Sequence, residues 1–176
     1  AIPNDLRLLN LALVDIGAGT SDIAITKSGT VVAYAMVPVA GDEMTEEIAQ
    51  HYLVDFNSAE KIKISSVLSK NPISFKDILD NEITVKPEEV DEVLRPGVSG
   101  LARTIGEKIL EFNGGKAPNA VFLVGGGSQV HGLSEAVSEM IGLPKGRVAV
   151  RNRSIAGNII FPKDQADVLS GPESIT

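Results

Sequence analysis

Residues 15–22 read Asp15-Ile16-Gly17-Ala18-Gly19-Thr20-Ser21-Asp22, and the reading of this octapeptide decides the fold. Before it, Leu8 to Ile16 is an apolar run that predicts a buried strand. After it, Asp22 to Thr26 alternates, with Ile23 and Ile25 on one face, and predicts a second strand. The glycines therefore join strand to strand. A Walker-type loop or a dinucleotide fingerprint needs a helix after its glycines, its own spacing and, in the Walker case, a Lys. Neither condition is met. Glycines without Cβ let backbone N–H groups approach an anion closely. Asp15 ends a strand, where its carboxylate can point into a cleft. A carboxylate beside phosphates is unfavourable without a cation between them, and Mg2+, which keeps several waters, is the natural intermediary. Thr20 adds a hydroxyl and Asp22 a second acid. The same octapeptide also reads as an ordinary glycine-rich hairpin with a capping Asp, and taken alone it leaves both readings open.

Outward from this loop, Ser28-Gly29 is a tight-turn signal, and Thr30 to Val37 predicts a third strand rich in β-branched residues. Three strands with short turns make an antiparallel meander. Gly41-Asp42 ends it. Asp42 is the expected N-cap of a helix carrying Met44, Ile48, Tyr52 and Phe56, with Glu43, Glu46 and Glu47 at its positive start. Ser58 is expected to cap a short second helix through Lys61 to Val67. Ser74 to Leu79 and Glu82 to Val85 flank Asp80-Asn81 as a hairpin. Pro87 sits in the first turn of a further helix, whose stripe runs Val90, Leu94, Val98, Leu101, Ile105, Ile109 and Phe112. Pro96-Gly97 is expected to kink or split it. Ala120 to Val124 predicts a strand buried on both faces. A helix from Gln129 to Ile141 and a strand at Val148 to Val150 follow, and the pattern fades from Arg151 onward.

Two further features carry chemistry. Gly125-Gly126-Gly127-Ser128 joins a buried strand to a helix, whose N-terminal N–H groups suit a phosphate or ribose; a tight turn needing close packing gives the same residues. Glu60 and Lys63 share a helix face. That pair suits a ribose hydroxyl and an adenine edge, and is equally a surface ion pair.

Composition narrows the class. The 176 residues suffice for one medium domain or two small lobes. Cysteine is absent, which excludes disulfides, thiolate catalysis and cysteine–zinc sites. The net charge of −7 disfavours bulk attraction to nucleic acid or anionic membrane. With 2 Tyr, 5 Phe and no Trp, a base-stacking platform is not expected. No apolar run approaches the roughly 20 residues that span a bilayer. The amino end lacks the basic start and apolar core of a signal peptide.

In this order, the octapeptide, the meander, the Gly-Asp helix, Glu-x-x-Lys, the long helix and Leu-Val-Gly-Gly-Gly-Ser resemble the actin and heat-shock-chaperone ATPase superfamily. Asp15 to Asp22 is similar to its second phosphate loop, and Phe122 to Leu133 to its adenosine loop. Val39-Ala40-Gly41-Asp42 followed by Thr45 and Ile48, Ser58-Ala59-Glu60 with Lys63, and Gln129 after the glycines are most similar to the bacterial cell-division FtsA family. The resemblance covers about residues 8 to 142. It implies an α/β, ribonuclease-H-like actin-fold lobe: an antiparallel three-strand meander plus parallel strands, flanked by helices, with a small α+β subdomain inserted. Residues 1–56 and 97–176 would form the core ATPase-type subdomain, and residues 57–96 the small inserted one.

The site residues follow by position. Asp15 would be catalytic and hold Mg2+ through water. Gly17, Gly19 and Thr20 would contact β- and γ-phosphates, with Asp22 beside them. Glu60 and Lys63 would line the nucleoside pocket, Gly125 and Gly126 would sit against the ribose and α-phosphate, and Gly127 and Ser128 would complete the cofactor-binding loop. The resemblance implies ATP and Mg2+ as cofactors, a tubulin-like division protein and self-association as partners, and a cytoplasmic protein reaching the membrane face through other parts of the intact protein. The family's first phosphate loop lies upstream, so the chain is expected to be a second lobe with negligible ATP hydrolysis of its own. A non-catalytic assembly platform, a chaperone- or reactivase-type ATPase and a pilus-assembly ATPase share these loops.

Overall fold

The computed structural model describes residues 9–151. The strand start at Leu8, Arg153 and the tail with Gly171-Pro172-Glu173 lie outside them. The meander forms as its alternation dictates: Leu11–Ile16 (β1), Ser21–Lys27 (β2) and Thr30–Val37 (β3) pair antiparallel in sequence. Ser28 and Gly29 close the second hairpin with φ of 49° and 83°, the left-handed pair that matches strand twist. Ala120–Val124 (β6) and Val148–Val150 (β7) complete a five-stranded sheet in the order β3-β2-β1-β6-β7. β6 pairs parallel with both β1 and β7.

Helices cover one face of this sheet. Gly41–Tyr52 (α1), Phe56–Leu68 (α2), Pro87–Phe112 (α3) and Leu133–Ile141 (α4) follow the meander in order. One continuous core joins Val14, Ile16, Ile23 and Ile25 to Met44 and Ile48 of α1, Leu94, Leu101, Ile105 and Ile109 of α3, and Leu133 and Val137 of α4. Each fully buried aliphatic side chain of this size contributes roughly 1.5–3 kcal/mol. Between α2 and α3, Ile73–Lys76 (β4) and Glu82–Val85 (β5) form a separate two-stranded sheet with Phe75 opposite Ile83. Among the described residues no helix is long and apolar enough to cross a membrane.

Several element ends depart from expectation, each for a local reason. α1 begins at Gly41 with Ala40 as its cap, so Asp42 lies inside the helix. The amides of Gly41 and Asp42 donate to the carbonyls of Gly17 and Ala18, at 3.2 and 2.8 Å. The first glycine loop thus satisfies helix donors that a capping side chain would otherwise take. α2 starts one turn early, at Phe56, because Asp55 rather than Ser58 caps it and accepts the Ser58 amide at 3.1 Å. The first strand of the small hairpin stops at Lys76. Asp77 takes over there, accepting the amides of Leu79 and Asn81 at 2.8 and 2.9 Å.

α3 runs unbroken through Pro96 for 26 residues. The exposed proline ring faces outward, and the neighbouring Gly97 amide turns to the Glu47 carboxylate at 3.2 Å. The expected boundary between 96 and 97 therefore falls inside a helix. Residues 126–129 form a single 3-10 turn, and α4 starts only at Leu133. Gly132, at φ 81°, interrupts what the periodicity reads as one helix from Gln129.

Candidate functional site

Two glycine loops emerge side by side at one end of the sheet. β1 and β6 are parallel neighbours, with Asp15 opposite Val124, so residues 17–20 and 125–128 leave the sheet at the carboxyl ends of adjacent strands. β1 is also where the sheet changes from antiparallel to parallel pairing. Ligands of open α/β sheets bind in such a crevice.

The first loop is a tight turn in which the Gly17 amide donates to the Thr20 carbonyl at 3.0 Å. Gly17, Gly19 and Thr20 are exposed, as is Asp15 at the end of β1. Asp15 and Asp22 are paired directly across β1 and β2. Like charges so placed repel unless a cation or donor intervenes. The Tyr34 hydroxyl supplies one donor, to Asp22 Oδ1 at 2.5 Å. That bond, with some desolvation and the carboxylate's charge, holds the Tyr34 phenol above its ordinary range. Asp42 adds a third carboxylate: a β-carbon on Gly19 would lie 3.4 Å from its Oδ2. The sequence reading missed Asp42 as a site residue, since it fits a helix cap equally well.

The second loop packs against the first. Gly125 has φ 85° and ψ 168°, a region that is essentially glycine-only. A β-carbon there would lie 2.5 Å from Asp15 Oδ1, and one on Gly127 would lie 2.6 Å from Ile16 Cγ2. Both glycines are therefore required by close packing of the two loops. Gly126 faces open space. Ser128 is buried, and its hydroxyl donates to the Gly125 carbonyl at 2.7 Å, stitching the loop to itself.

Glu60 and Lys63 reach the first loop through α1. Lys63 is buried, with Nζ at 2.9 Å from the Gly41 carbonyl, 2.6 Å from Thr45 Oγ1 and 2.6 Å from Glu60 Oε2. The Thr45 hydroxyl donates in turn to Glu60 Oε2 at 2.5 Å. Thr45 carries part of the family resemblance but was assigned no site role from the sequence. Its place four residues after Gly41, one turn along the same helix face, is the physical signal.

Beyond the second loop lies an open cleft of about 450 Å³, lined by Val67 of α2, Ser128, Gln129, His131 and Glu135 among others. His131 Nδ1 lies 2.9 Å from Asp91 Oδ2 of α3, so this histidine is paired rather than simply solvated. The Ser134 hydroxyl and the helix backbone hold the Glu135 carboxyl below its usual range, with help from Lys145 and His131. His51 is exposed and meets Tyr52 edge-on at 4.6 Å.

Chemically, the arrangement presents backbone amides and small residues at one end, carboxylates beside them, and a partly apolar cleft at the other. Among the described residues, no group of three or more His, Asp or Glu is placed to hold a metal by protein ligands alone. The donor set suits Mg2+ bound by a carboxylate together with water and ligand phosphate. The glycine at 125 keeps clear the space beside Asp15 that a side chain would fill.

Comparison with known proteins bears on this site. The family profile described as cell division protein FtsA matches residues 12–175. The chain is 31% identical over 153 residues to the cell division protein FtsA of Pseudomonas aeruginosa, covering 81% of this chain and 36% of that protein. It is 29% identical to the cell shape-determining protein Mbl of Bacillus subtilis, covering 75% of this chain and 46% of the relative. The chain thus spans between about a third and a half of these relatives' length. Among solved structures, MreB 5 of Spiroplasma citri bound to AMPPNP superposes with a TM-score of 0.60 at 23% identity, covering 83% of this chain and 49% of that one. That likeness identifies the fold as actin-like.

Proposed function

The chain belongs to the FtsA cell-division protein family, and from that premise we propose that it is the second lobe of an actin-like ATPase that closes on ATP and Mg2+. The observation that carries this reading is the packing of the two glycine loops at the ends of β1 and β6, with Asp15 against Gly125. An actin-fold relative whose structure holds AMPPNP supports the choice of nucleotide.

On this reading Gly17, Gly19 and Thr20 lie against the β- and γ-phosphates, and the amides of residues 18–20 bind them while the Gly17 amide keeps the turn closed on the Thr20 carbonyl. Backbone donors suit a protein of net charge −7, because they need no basic patch. Asp15 would hold the cation through water, with Asp22 and Asp42 adding negative potential nearby. Mg2+, when bound, neutralises charge developing on the transferring phosphate. Gly125 and Gly126 bring the backbone against the ribose and α-phosphate, while Ser128 keeps the loop in shape. Glu60 and the cleft by Val67 and Gln129 take the nucleoside. Residues 57–96, with their hairpin, serve as the small inserted subdomain of this lobe.

The lobe holds half of a phosphate cradle, so turnover requires the other half from the intact protein. Catalysis there is positioning of a water plus electrostatic stabilisation. The intact protein would self-associate in the cytoplasm and link a tubulin-like division filament to the membrane. Family membership supports this over pilus-assembly and chaperone or reactivase roles. Calorimetric titration of the intact protein with ATP and Mg2+ tests it. Saturable, Mg2+-dependent binding is expected. Absence of binding would overturn the nucleotide reading and favour a non-catalytic assembly platform.

A further inference from the structure

We propose that Asn113-Gly114, at the carboxyl end of α3, is a site of intrachain deamidation that the fold holds shut. It is the one Asn-Gly pair in the 176-residue sequence. The reaction needs a free backbone nitrogen after an asparagine, and a side-chain amide able to reach it. Gly114 supplies the nitrogen. It is exposed, at φ 68°, with nothing within 4 Å of the place a β-carbon would take. Its neighbours are tied back to the helix: the Asn113 amide donates to the Ile109 carbonyl at 3.0 Å, and the Gly115 amide to the Leu110 carbonyl at 2.8 Å. Among the described residues, the Gly114 amide between them has no hydrogen-bond partner.

The side chain is the part that is held. Asn10 Nδ2 donates to Asn113 Oδ1 at 2.8 Å, and Asn113 Nδ2 donates to the Lys116 carbonyl at 2.7 Å. A carbonyl can only accept, so Lys116 fixes which way the Asn113 amide faces. That choice fixes the Asn10 amide in turn and leaves Asn10 Oδ1 buried without a partner. Asn10 is itself anchored. Its backbone amide donates to Asn119 Oδ1 at 3.1 Å, and the Asn119 amide donates to its carbonyl at 2.7 Å. The lock therefore joins the approaches to β1 and β6 to the end of α3, at the end of the sheet opposite the glycine loops. Ring closure requires the Asn113 side chain to swing back over its own backbone and give up both of its bonds. Hydroxide then takes the Gly114 amide proton, and the nitrogen attacks Asn113 Cγ. The N–Cγ bond forms, the Cγ–Nδ2 bond breaks, and ammonia leaves with a proton from water. Water opens the cyclic imide at either carbonyl, giving aspartate or isoaspartate. The aspartate product sets an oxygen against the Lys116 carbonyl where a donor stood, so the lock cannot close again as before.

Peptide mapping by mass spectrometry of the full chain, aged at mildly alkaline pH, tests the site and the lock separately. In urea, Asn113 should convert before any other asparagine, because glycine offers the attacking nitrogen the least hindrance. In the folded chain the same conversion should be slower by about tenfold or more, since both side-chain bonds must first break. Asn10→Ala removes one of those bonds and should speed conversion in the folded chain about tenfold. A cooperative thermal transition shows whether that variant is folded. If it is not, the comparison of folded wild type with the chain in urea decides alone. Earlier conversion at another asparagine in urea would overturn the site. Equal rates for folded and urea-unfolded wild type would overturn the lock, and so would an unchanged rate in folded Asn10→Ala.

Discussion

Asp15 and Asp22 stand directly opposite each other on β1 and β2, two carboxylates at the sheet end where both glycine loops emerge. Among the described residues only Asp22 of the two has a donor from a neighbouring side chain, the Tyr34 hydroxyl. Without a cation, their repulsion should cost the fold a cross-strand increment of roughly 0.2–1 kcal/mol. Asp15→Asn should therefore raise the urea midpoint of the unliganded chain slightly, and the gain should shrink in high salt. In the intact protein the same change should lower Mg2+-dependent ATP turnover. Unchanged turnover would remove Asp15 from the mechanism.

Gly125 and Gly126 are adjacent and should respond oppositely to alanine. Gly125→Ala forces a side chain into a glycine-only conformation and against Asp15. A cost of about 1–3 kcal/mol is expected from the backbone alone. Gly126→Ala meets nothing within 4 Å and should stay within about 0.5 kcal/mol of wild type. Equilibrium denaturation of the two variants checks the contrast. Equal effects would mean that the loops are not packed as described.

Asp55 gives a pH-dependent contribution with a definite sign. The Ser58 hydroxyl, followed by backbone amides at the start of α2, holds its carboxyl below the ordinary value of 3.8. A depressed carboxyl stabilises the fold above its unfolded pKa and loses that contribution as pH falls through the folded one. Asp55→Ala should thus melt a few degrees below wild type at pH 7. The gap should close as pH falls below 3.8. A gap that persists unchanged in acid would show that the cap acts through something other than its charge.

If residues 17–20 and 125–128 form one side of a nucleotide cradle, as proposed, the purified chain on its own should hydrolyse ATP no faster than the uncatalysed background. A sensitive phosphate-release assay with Mg2+ present decides this. Robust turnover by the isolated chain would refute the two-lobe mechanism.

Much of the fold was legible because its signals are local. Alternation at Ile23 and Ile25, the Ser28-Gly29 turn and the apolar run Ala120 to Val124 each act over a few residues, where sequence spacing and spatial spacing agree. Glycines crowded after strands marked the two loops for the same reason. Helix starts were less legible. Asp42 and Ser58 are good caps by residue type, yet Gly17, Ala18 and Asp55 hold the donors in question. A cap is decided by whichever acceptor arrives, and here one set arrives from a loop distant in sequence.

The sequence by itself determined the order of elements, the absence of thiol chemistry and the two places where backbone lies bare. Those follow from residue type and spacing alone. Only the tertiary structure decided what those places do to each other. It set Asp15 against Gly125 because β1 and β6 pair in parallel across more than a hundred positions of chain. It buried Lys63, legible with Glu60 as a surface ion pair, against the Gly41 carbonyl. The physical reason is the same in both cases. Burying a polar group demands a partner, and which partner is within reach depends on how helices and strands pack, not on their distance along the chain.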